Sequence, residues 1–384
     1  MPRLSAQLEE ALTSGRHEAT LSIGEALATR SLLAEEGMAV PSWASLLAGA
    51  TPPELTNEEA PERDEVRRGW QAQAGRTRET HFFLQLRGRL SPSRLTLLLS
   101  QGGPAAGRWL TCLPTSLLTR MRSEHMQLAL RRRLRLPLPM LARTCSGRSC
   151  QHRLDPLGDH VVACPRSGFI KKRSVALERA WAQVFREAGA RVVDNRPLRD
   201  LGIDGVSPTD GRRIEITAYG LPLFHGVPIC EDATLVSPLT GAGEPAHGRQ
   251  AGAALRVAER RKRMTYPELV RGGRARLVVL GCETGGRWSD EALSLVPLLA
   301  SHRAESSPEL LKTSIKQACM ARWWGLLSVA AQSTLAGTLS GDAACGYTFS
   351  ADAPLPLGAL LDGADFEPPA AGDSRLPPCG SACA

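Results

Sequence analysis

Apolar positions recur at helical spacing and at alternate residues in the second half of the chain, and the switches between these two periods mark out elements. Over 174–188 Leu177, Trp181, Val184, Phe185 and Ala188 form an apolar stripe that predicts a helix, with Ser174 as its cap. Gly189 ends it, and RVV from Arg191 begins a strand. The run RRIEITAYG at 212–220 alternates: Ile214, Ile216 and Ala218 point one way, Glu215, Thr217 and Tyr219 the other. CEDATLV at 230–236 is a further strand segment. GAALRVAERRKRMTY reads as a helix ending at the residue before Pro267. ARLVVLGCETG is a short apolar strand, SDEALSLVPLLASH a helix capped by Ser289, and 307–339 a long helix with a Ser-Pro start. Helix, three strands, helix, strand, helix, helix is an order that suits an α/β (α+β) domain, a small mixed sheet flanked by helices, over 167–340.

The first half is different. Residues 1–37 read as one or two polar helices, and 51–78 as a charged, Pro-bearing linker or solvated helix, so 1–90 is a helical, partly disordered region. Helical patterns follow at 91–98 and 116–136, inside an Arg-rich segment bounded by 91 and 143. The second ends in RRRLRLPLP, where Pro137 and Pro139 stop it. Arg131, Arg132, Arg133 and Arg135 crowd this end, either as a solvated helix terminus favourable to the dipole or as a phosphate-contacting patch. From Gly341 to the end at 384, Ala, Pro, Gly and Asp dominate, and a disordered tail is expected.

A formal net charge of +8 favours an acidic partner, DNA or RNA being the commonest. The charge is nearly all arginine, which GC-rich codons alone would produce; Lys171, Lys172, Lys262, Lys312 and Lys316 are the only lysines. Aromatics are scarce at 4%, so Leu, Val and Ala are expected to build the core. No signal-peptide core and no run of 18 apolar residues occurs, which predicts an intracellular protein, nuclear or cytoplasmic, with no membrane partner. Its ten cysteines are expected free or metal-bound. The pattern names no oligomeric state.

Within 144–166, CSGRSCQHRLDPLGDHVVAC places Cys145, Cys150, His160 and Cys164 in a C-x4-C-x9-H-x3-C spacing. Three thiolates and an imidazole supply the tetrahedron that structural Zn2+ takes, with no open position for catalysis. His152 is an alternative fourth ligand close behind Cys150, and Asp155 or Asp159 a candidate acceptor for an imidazole N–H.

If RRIEITAYG and VPICEDATLV pair as a hairpin about Leu223–Phe224, opposed residue numbers sum to about 447, and Glu215 faces Asp232. Paired carboxylates on neighbouring strands suit a hard divalent ion, Mg2+ or Mn2+, that activates water for phosphodiester hydrolysis. Thr234 shares the face of Asp232, while Glu231 faces away unless a bulge shifts the register. Lys262 falls on the helical stripe of Leu255, Ala258 and Tyr266, expected to face the sheet, with Arg256, Arg260 and Arg263 outward. That lysine is either a catalytic cation or one snorkelling at a helix edge. Glu178, beside the apolar stripe of the 174–188 helix, and Glu283, at the end of the ARLVVLGCETG strand, are either added metal contacts or, as favoured, solvated or salt-bridged carboxylates.

LALRRRLRLPLP, LDPLGDHVVAC, ALERAWAQVFREAGARV, RRIEITAYGLPLFHGVPICEDATLVSPL, RRKRMTYPEL and LVVLGCETGGRWSDEAL, in this order, resemble the region downstream of the reverse transcriptase in non-LTR retrotransposon-like polyproteins. The resemblance implies a CCHC-type zinc motif followed by a restriction-endonuclease-like PD-(D/E)XK domain that nicks DNA. By position Glu215 takes the first acidic place, Asp232 the second, and Lys262 that of a relocated lysine; Thr234 stands where the usual lysine would be. No YxDD signature occurs, so the chain reads as a detached fragment of such a polyprotein. The expectation is a nucleic-acid-binding protein with a metal-dependent endonuclease domain, catalysis resting on Glu215, Asp232 and Lys262. Arg131, Arg132, Arg133, Arg135, Lys171, Lys172, Arg260, Arg261 and Arg263 are the expected nucleic-acid contacts. The alternatives are a non-catalytic zinc-containing binding module and an inactive retrotransposon remnant.

Overall fold

In a computed structural model, the described residues are 27–42, 44, 45, 48–50, 69–139, 144, 145, 147, 150–271 and 273–340. The expected elements and linker at 1–26 and 51–68, and the tail at 341–384, lie outside them. The chain divides into two units, Met1–Ser91 and Pro92–Ala384. In the first, a helical stretch at 27–35 and helix α1 (Trp70–Arg89) are present, with Arg78 paired to Glu36.

The second unit begins with α2 (Pro92–Ser100), the short α3 (Arg108–Thr111) and α4 (Ser123–Arg133). The helix expected from 116 starts at Ser123; the residues before it form turns, with Thr119 bonded to Ser116. After α5 (Asp159–Ala163) comes α6 (Phe169–Glu187). It starts earlier than a Ser174 cap predicts, because left-handed Gly168 supplies the break; Ser174 instead bonds back to the Ile170 carbonyl inside the helix. Strands β1 (Arg191–Pro197), β2 (Arg213–Tyr219) and β3 (Ile229–Val236) follow, then α7 (Ala253–Thr265), α8 (Pro267–Arg271), β4 (Arg276–Glu283), α9 (Asp290–Glu305) and α10 (Lys312–Ser340). Ser289 caps α9 as expected, its hydroxyl accepting from the Ala292 N–H.

Among the described residues the sheet has four strands in the order β1-β2-β3-β4, antiparallel except for the parallel β3–β4 pair. One face carries Ile216, Ala218, Ile229, Ala233, Val278 and Leu280 against α6, α9 and α10. The other carries Cys230, Leu277 and Val279 against Tyr266 and Leu269. Helix α7 comes so near β4 that a Cβ on Gly281 would lie 2.8 Å from Leu255. Burial on both faces makes β3 and β4 nearly continuous buried runs. Three tryptophans meet in the core: Trp181 meets Trp288 edge-on at 6.1 Å, and Trp288 meets Trp324 at 5.4 Å.

The alternation read into β2 breaks at one point. Ile216 and Ala218 join the first cluster, but Ile214 joins the second, with Leu198 and Tyr266. On β1, Asn195 lies between the Asp194–Ile216 and Arg196–Ile214 pairs and has φ 51, which interrupts the ladder there.

The region ahead of the sheet is joined to it by α10. Leu128 of α4, Val161 and Val162 of α5, and Leu335 and Leu339 of α10 share one apolar cluster. Gly158, the left-handed residue before α5, sits so close to it that a Cβ there would lie 2.6 Å from Leu339. Among the described residues, no helix is long and apolar enough to cross a membrane.

Candidate functional site

The chain before α5 folds back on itself. Thr144 and Arg153 form an isolated bridge, and the Cys145 N–H donates to the His152 carbonyl. This turn brings Cys145 and Cys150 beside His160 and Cys164, which α5 and its end supply. The four ligand atoms lie within 4.8 Å of one another and could hold a metal ion. Cys145 and Cys164 Sγ are 3.8 Å apart, Cys164 and Cys150 Sγ 3.7 Å, and Cys150 Sγ lies 3.3 Å from His160 Nε2. The described cysteines form no disulfide. The Gly147 N–H points at Cys145 Sγ at 3.4 Å.

The residues around the cluster are placed differently from expectation. His160 Nδ1 faces the Gly241 carbonyl at 3.3 Å, not a carboxylate. Asp155 accepts from the backbone N–H groups of Leu157, Asp159 and His160 at the start of α5. Burial pushes its carboxyl up, but these bonds outweigh it and leave it below the ordinary value. Asp159 takes Arg132 and Arg135 instead. His152 stands outside the ligand group, stacked on the His160 ring at 4.2 Å.

On the sheet, the expected sum of 447 holds for Ile216–Glu231, Thr217–Cys230 and Ala218–Ile229. Pairing then stops, and the next position is bridged by side chains. Glu215 Oε2 accepts the Ala233 N–H at 2.7 Å, and its Oε1 lies 3.7 Å from Lys262 Nζ. The same ammonium pairs with Asp232 Oδ1. The structure therefore brings Glu215, Asp232 and Lys262 together, from β2, β3 and α7. Lys262 is 30% exposed and Glu215 23%, whereas Asp232 is 1% exposed, so the cluster opens outward through the first two.

Two more carboxylates act on this group. Glu231 is fully buried and neither of its oxygens has a hydrogen-bond partner. Burial, then the charges of Glu215 and Asp232, push it well above the ordinary carboxylate value. Glu178 of α6 is raised by burial and by Asp232, so it belongs to the same field and is not simply solvated. Burial, with Asp232 and Glu178, pushes Glu215 up to about 8. Asp232 is raised by burial, partly offset by Lys262. Burial opposes the charge on Lys262, but Asp232 and Glu215 outweigh it and hold the ammonium above the ordinary lysine value. Tyr266, at the end of the same helix stripe, is pushed up to about 12 by burial and Asp232. Two carboxylates thus pair with one ammonium, and Glu231 and Glu178 add to the same negative field, an arrangement that favours uptake of protons or cations. Glu283 lies elsewhere, near Ser100, Arg287 and Arg256.

The basic residues separate into two sets. Arg132 is buried, donating to the Leu157 carbonyl at 2.9 Å and pairing with Asp159; Arg135 Nη1 donates to Asp159 at 2.7 Å. Arg263 does not look outward but is held by Glu259 at 3.0 Å and Glu291 at 2.9 Å. Glu291 also accepts the Val279 N–H, so this pair clamps α7 to β4 and α9, a role the sequence pattern did not signal. These three guanidiniums serve the fold, and a charge run alone does not distinguish them from free ones. Arg131 and Arg133 reach the Pro137 and Gln101 carbonyls. Lys171, Lys172, Arg260 and Arg261 are exposed. A shallow groove of about 560 Å³ runs along the outer side of α7 and α8, past Arg256, Arg260, Met264, Val270 and Arg271. It lies on the side of α7 away from Lys262 and contains none of the four carboxylates. Compared with known proteins, the chain matches no family model and no curated relative.

Proposed function

We propose that the protein is a retroelement-derived, nucleic-acid-binding endonuclease that hydrolyses phosphodiester bonds with a divalent metal. The observation that carries this reading is Lys262 reaching across from α7 to both Glu215 and Asp232. Carboxylates on two adjacent strands, a lysine on the following helix, and a small mixed sheet covered on both faces fit a restriction-endonuclease-like domain. Glu215 and Asp232 are the residues that would hold Mg2+ or Mn2+: they offer hard oxygen donors, and the unpartnered Asp232 Oδ2 lies in a group with surplus negative charge. Such an ion supplies Lewis-acid stabilisation and a more acidic bound water. Lys262, held protonated by its two carboxylates, stabilises negative charge on the reacting phosphate and orients water; it is not a base. The Ala233 N–H fixes Glu215 so that its other oxygen faces Lys262.

The Cys/His group is read as a structural Zn2+ site. A tetrahedron with Zn–S arms of about 2.3 Å has edges of about 3.8 Å, and the two thiol separations are 3.8 and 3.7 Å. With four protein ligands and a Gly241 carbonyl orienting His160, no position is left for substrate.

Nicking of supercoiled plasmid DNA, dependent on Mg2+ or Mn2+, tests the enzyme reading. Asp232→Ala is expected to abolish it and Glu231→Ala to leave it. Absence of nicking with retained salt-sensitive DNA binding would leave the non-catalytic binding module. One observation favours that second reading: Asp232 is almost fully covered and already paired with Lys262.

A further inference from the structure

Several arginines around the sheet are neutralised by carboxylates: Arg186 by Asp194, Arg212 by Asp210 and Glu268, Arg263 by Glu259 and Glu291. Arg191 and Arg196 of β1 differ. Among the described residues neither is in ion-pair contact with a carboxylate; both lie over one aromatic ring. The Arg191 guanidinium is 4.8 Å from the centre of the Tyr219 ring, and that of Arg196 is 5.5 Å from it. Arg196 Nη1 donates to the Tyr219 hydroxyl, and Nη2 to the Asp200 carbonyl at 2.6 Å.

Regular strand geometry does not produce this arrangement. Arg191 is the cross-strand partner of Tyr219 and shares its face. Arg196 is an odd number of residues away, so in an unbroken strand it would point to the opposite face. The left-handed Asn195 between them breaks the alternation and returns Arg196 to the ring. An aromatic ring holds a guanidinium in place while its remaining in-plane N–H groups can meet phosphate oxygens; at Arg196 two are already given to Tyr219 and Asp200, which fixes the fork. Tyr219 follows Glu215 by four residues on β2, about 13 Å along the strand, about four duplex base steps.

We infer that Arg191 and Arg196, stacked on Tyr219, form a phosphate-binding strip that holds a nucleic-acid strand across β1 and β2, toward Glu215 and Asp232. This rests on the nucleic-acid reading above. Arg276 is the built-in contrast. It too stacks on an aromatic ring, Phe224 at 5.4 Å, but in β4 it alternates with Val278 and Leu280 and belongs to the other side of the sheet.

The test is fluorescence anisotropy of the full chain with short labelled single-stranded DNA, and RNA of the same sequence, over a range of salt. The double variant R191Q/R196Q is expected to bind roughly tenfold more weakly at low salt, with a log affinity–log salt slope shallower by about 1.4, or about 0.7 per lost phosphate contact. The exposed R191Q alone is expected to give half that slope change, and Y219L part of the affinity loss. R276Q is expected to bind as wild type. Because phosphate is the ligand, DNA and RNA should respond alike. Wild-type affinity and slope in the double variant, or an equal loss in R276Q, overturns the strip while leaving nucleic-acid binding intact. Wild-type protein without salt-sensitive binding overturns the nucleic-acid reading and the strip with it.

Discussion

The Cys/His cluster and the carboxylate cluster are built on opposite principles. Around Cys145, Cys150, His160 and Cys164 the outer partners are in place: Gly147 at a thiol, Gly241 at the imidazole, Asp155 under the start of α5. Around Glu215 and Asp232 charge is left over. Lys262 pairs with two carboxylates, Glu178 and Glu231 add their charge nearby, and both oxygens of Glu231 are buried without a hydrogen bond. A satisfied, closed group belongs to the folding of its region. A group held in mutual repulsion is unfavourable for folding and is retained where it serves chemistry. The two clusters should therefore answer mutation differently, one in stability and the other in activity.

The largest effect is expected at the Cys/His cluster, because it ties the turn around Cys145 and Cys150 to α5. Purified protein should contain about one Zn2+ per chain, and Cys164→Ser should lose it. Structural zinc contributes on the order of 10 kcal/mol to small metal-folded domains. Loss of even about 5 kcal/mol here would lower the melting temperature by roughly 10–20 °C. A Cys164→Ser protein that melts like wild type removes the contrast at its first term.

Next comes Lys262→Met. Its expected effect is a loss of nicking by about 10²- to 10³-fold, the range for one charged catalytic group. Folding should persist, since Glu215 and Asp232 can take up protons in its absence. Retained nicking would assign Lys262 to the fold instead.

Much of the carboxylate site was legible in the sequence. Hairpin arithmetic about Leu223–Phe224 gave the right register for three pairs. Helical spacing put Lys262 on the stripe of Leu255 and Tyr266, and the structure buries both. What pattern could not supply was anything set by long-range contact. The side-chain alternation of β2 breaks just before Ile216, opposite left-handed Asn195 of β1, and nothing in an alternating run announces that. Arg132 and Arg135 look like a solvated basic run until Asp159, 27 and 24 residues away, is seen to pair with them. Glu178 looks like a helix-surface acid until the sheet is placed under it. Periodicity reports which face a residue occupies; what meets that face comes from the tertiary fold.

Two buried glutamates then sharpen the comparison within one technique, thermal unfolding. Glu187 is fully satisfied, by Arg322 at 3.0 Å, Trp323 Nε1 at 2.8 Å and Gln183 at 3.0 Å. Glu187→Ala leaves those donors buried and takes the carboxylate away from Arg322, and should cost about 3–5 kcal/mol. Glu231 has no such partners, and Glu231→Gln removes a group that repels Glu215 and Asp232. It should be neutral or stabilise the fold by about 1 kcal/mol, within the usual range for relief of strain at a functional site. If Glu231→Gln destabilises as much as Glu187→Ala, the surplus charge is not a property of the site.

The smallest expected signal is a slope. Glu215 is raised from 4.5 to about 8 in the folded chain, so between those values the folded state binds more protons than the unfolded state. Stability contributed by this group is fully present below about pH 4.5 and is lost as pH rises through about 8, at no more than about 1.4 kcal/mol per pH unit. The wild-type chain, in buffer without added Mg2+, should therefore lose stability across this window more steeply than Glu215→Gln. The difference between the two belongs to the coupled carboxylates together, because removing one charge lowers its neighbours as well. Added Mg2+ should act at the alkaline end, where the carboxylates are ionised, and bring the wild-type melting temperature back up by mass action. It should do so much less in Asp232→Asn. Equal pH profiles for wild type and Glu215→Gln would mean that Lys262 and the Ala233 N–H already satisfy Glu215, and the carboxylate cluster would then be as closed as the Cys/His cluster it is set against.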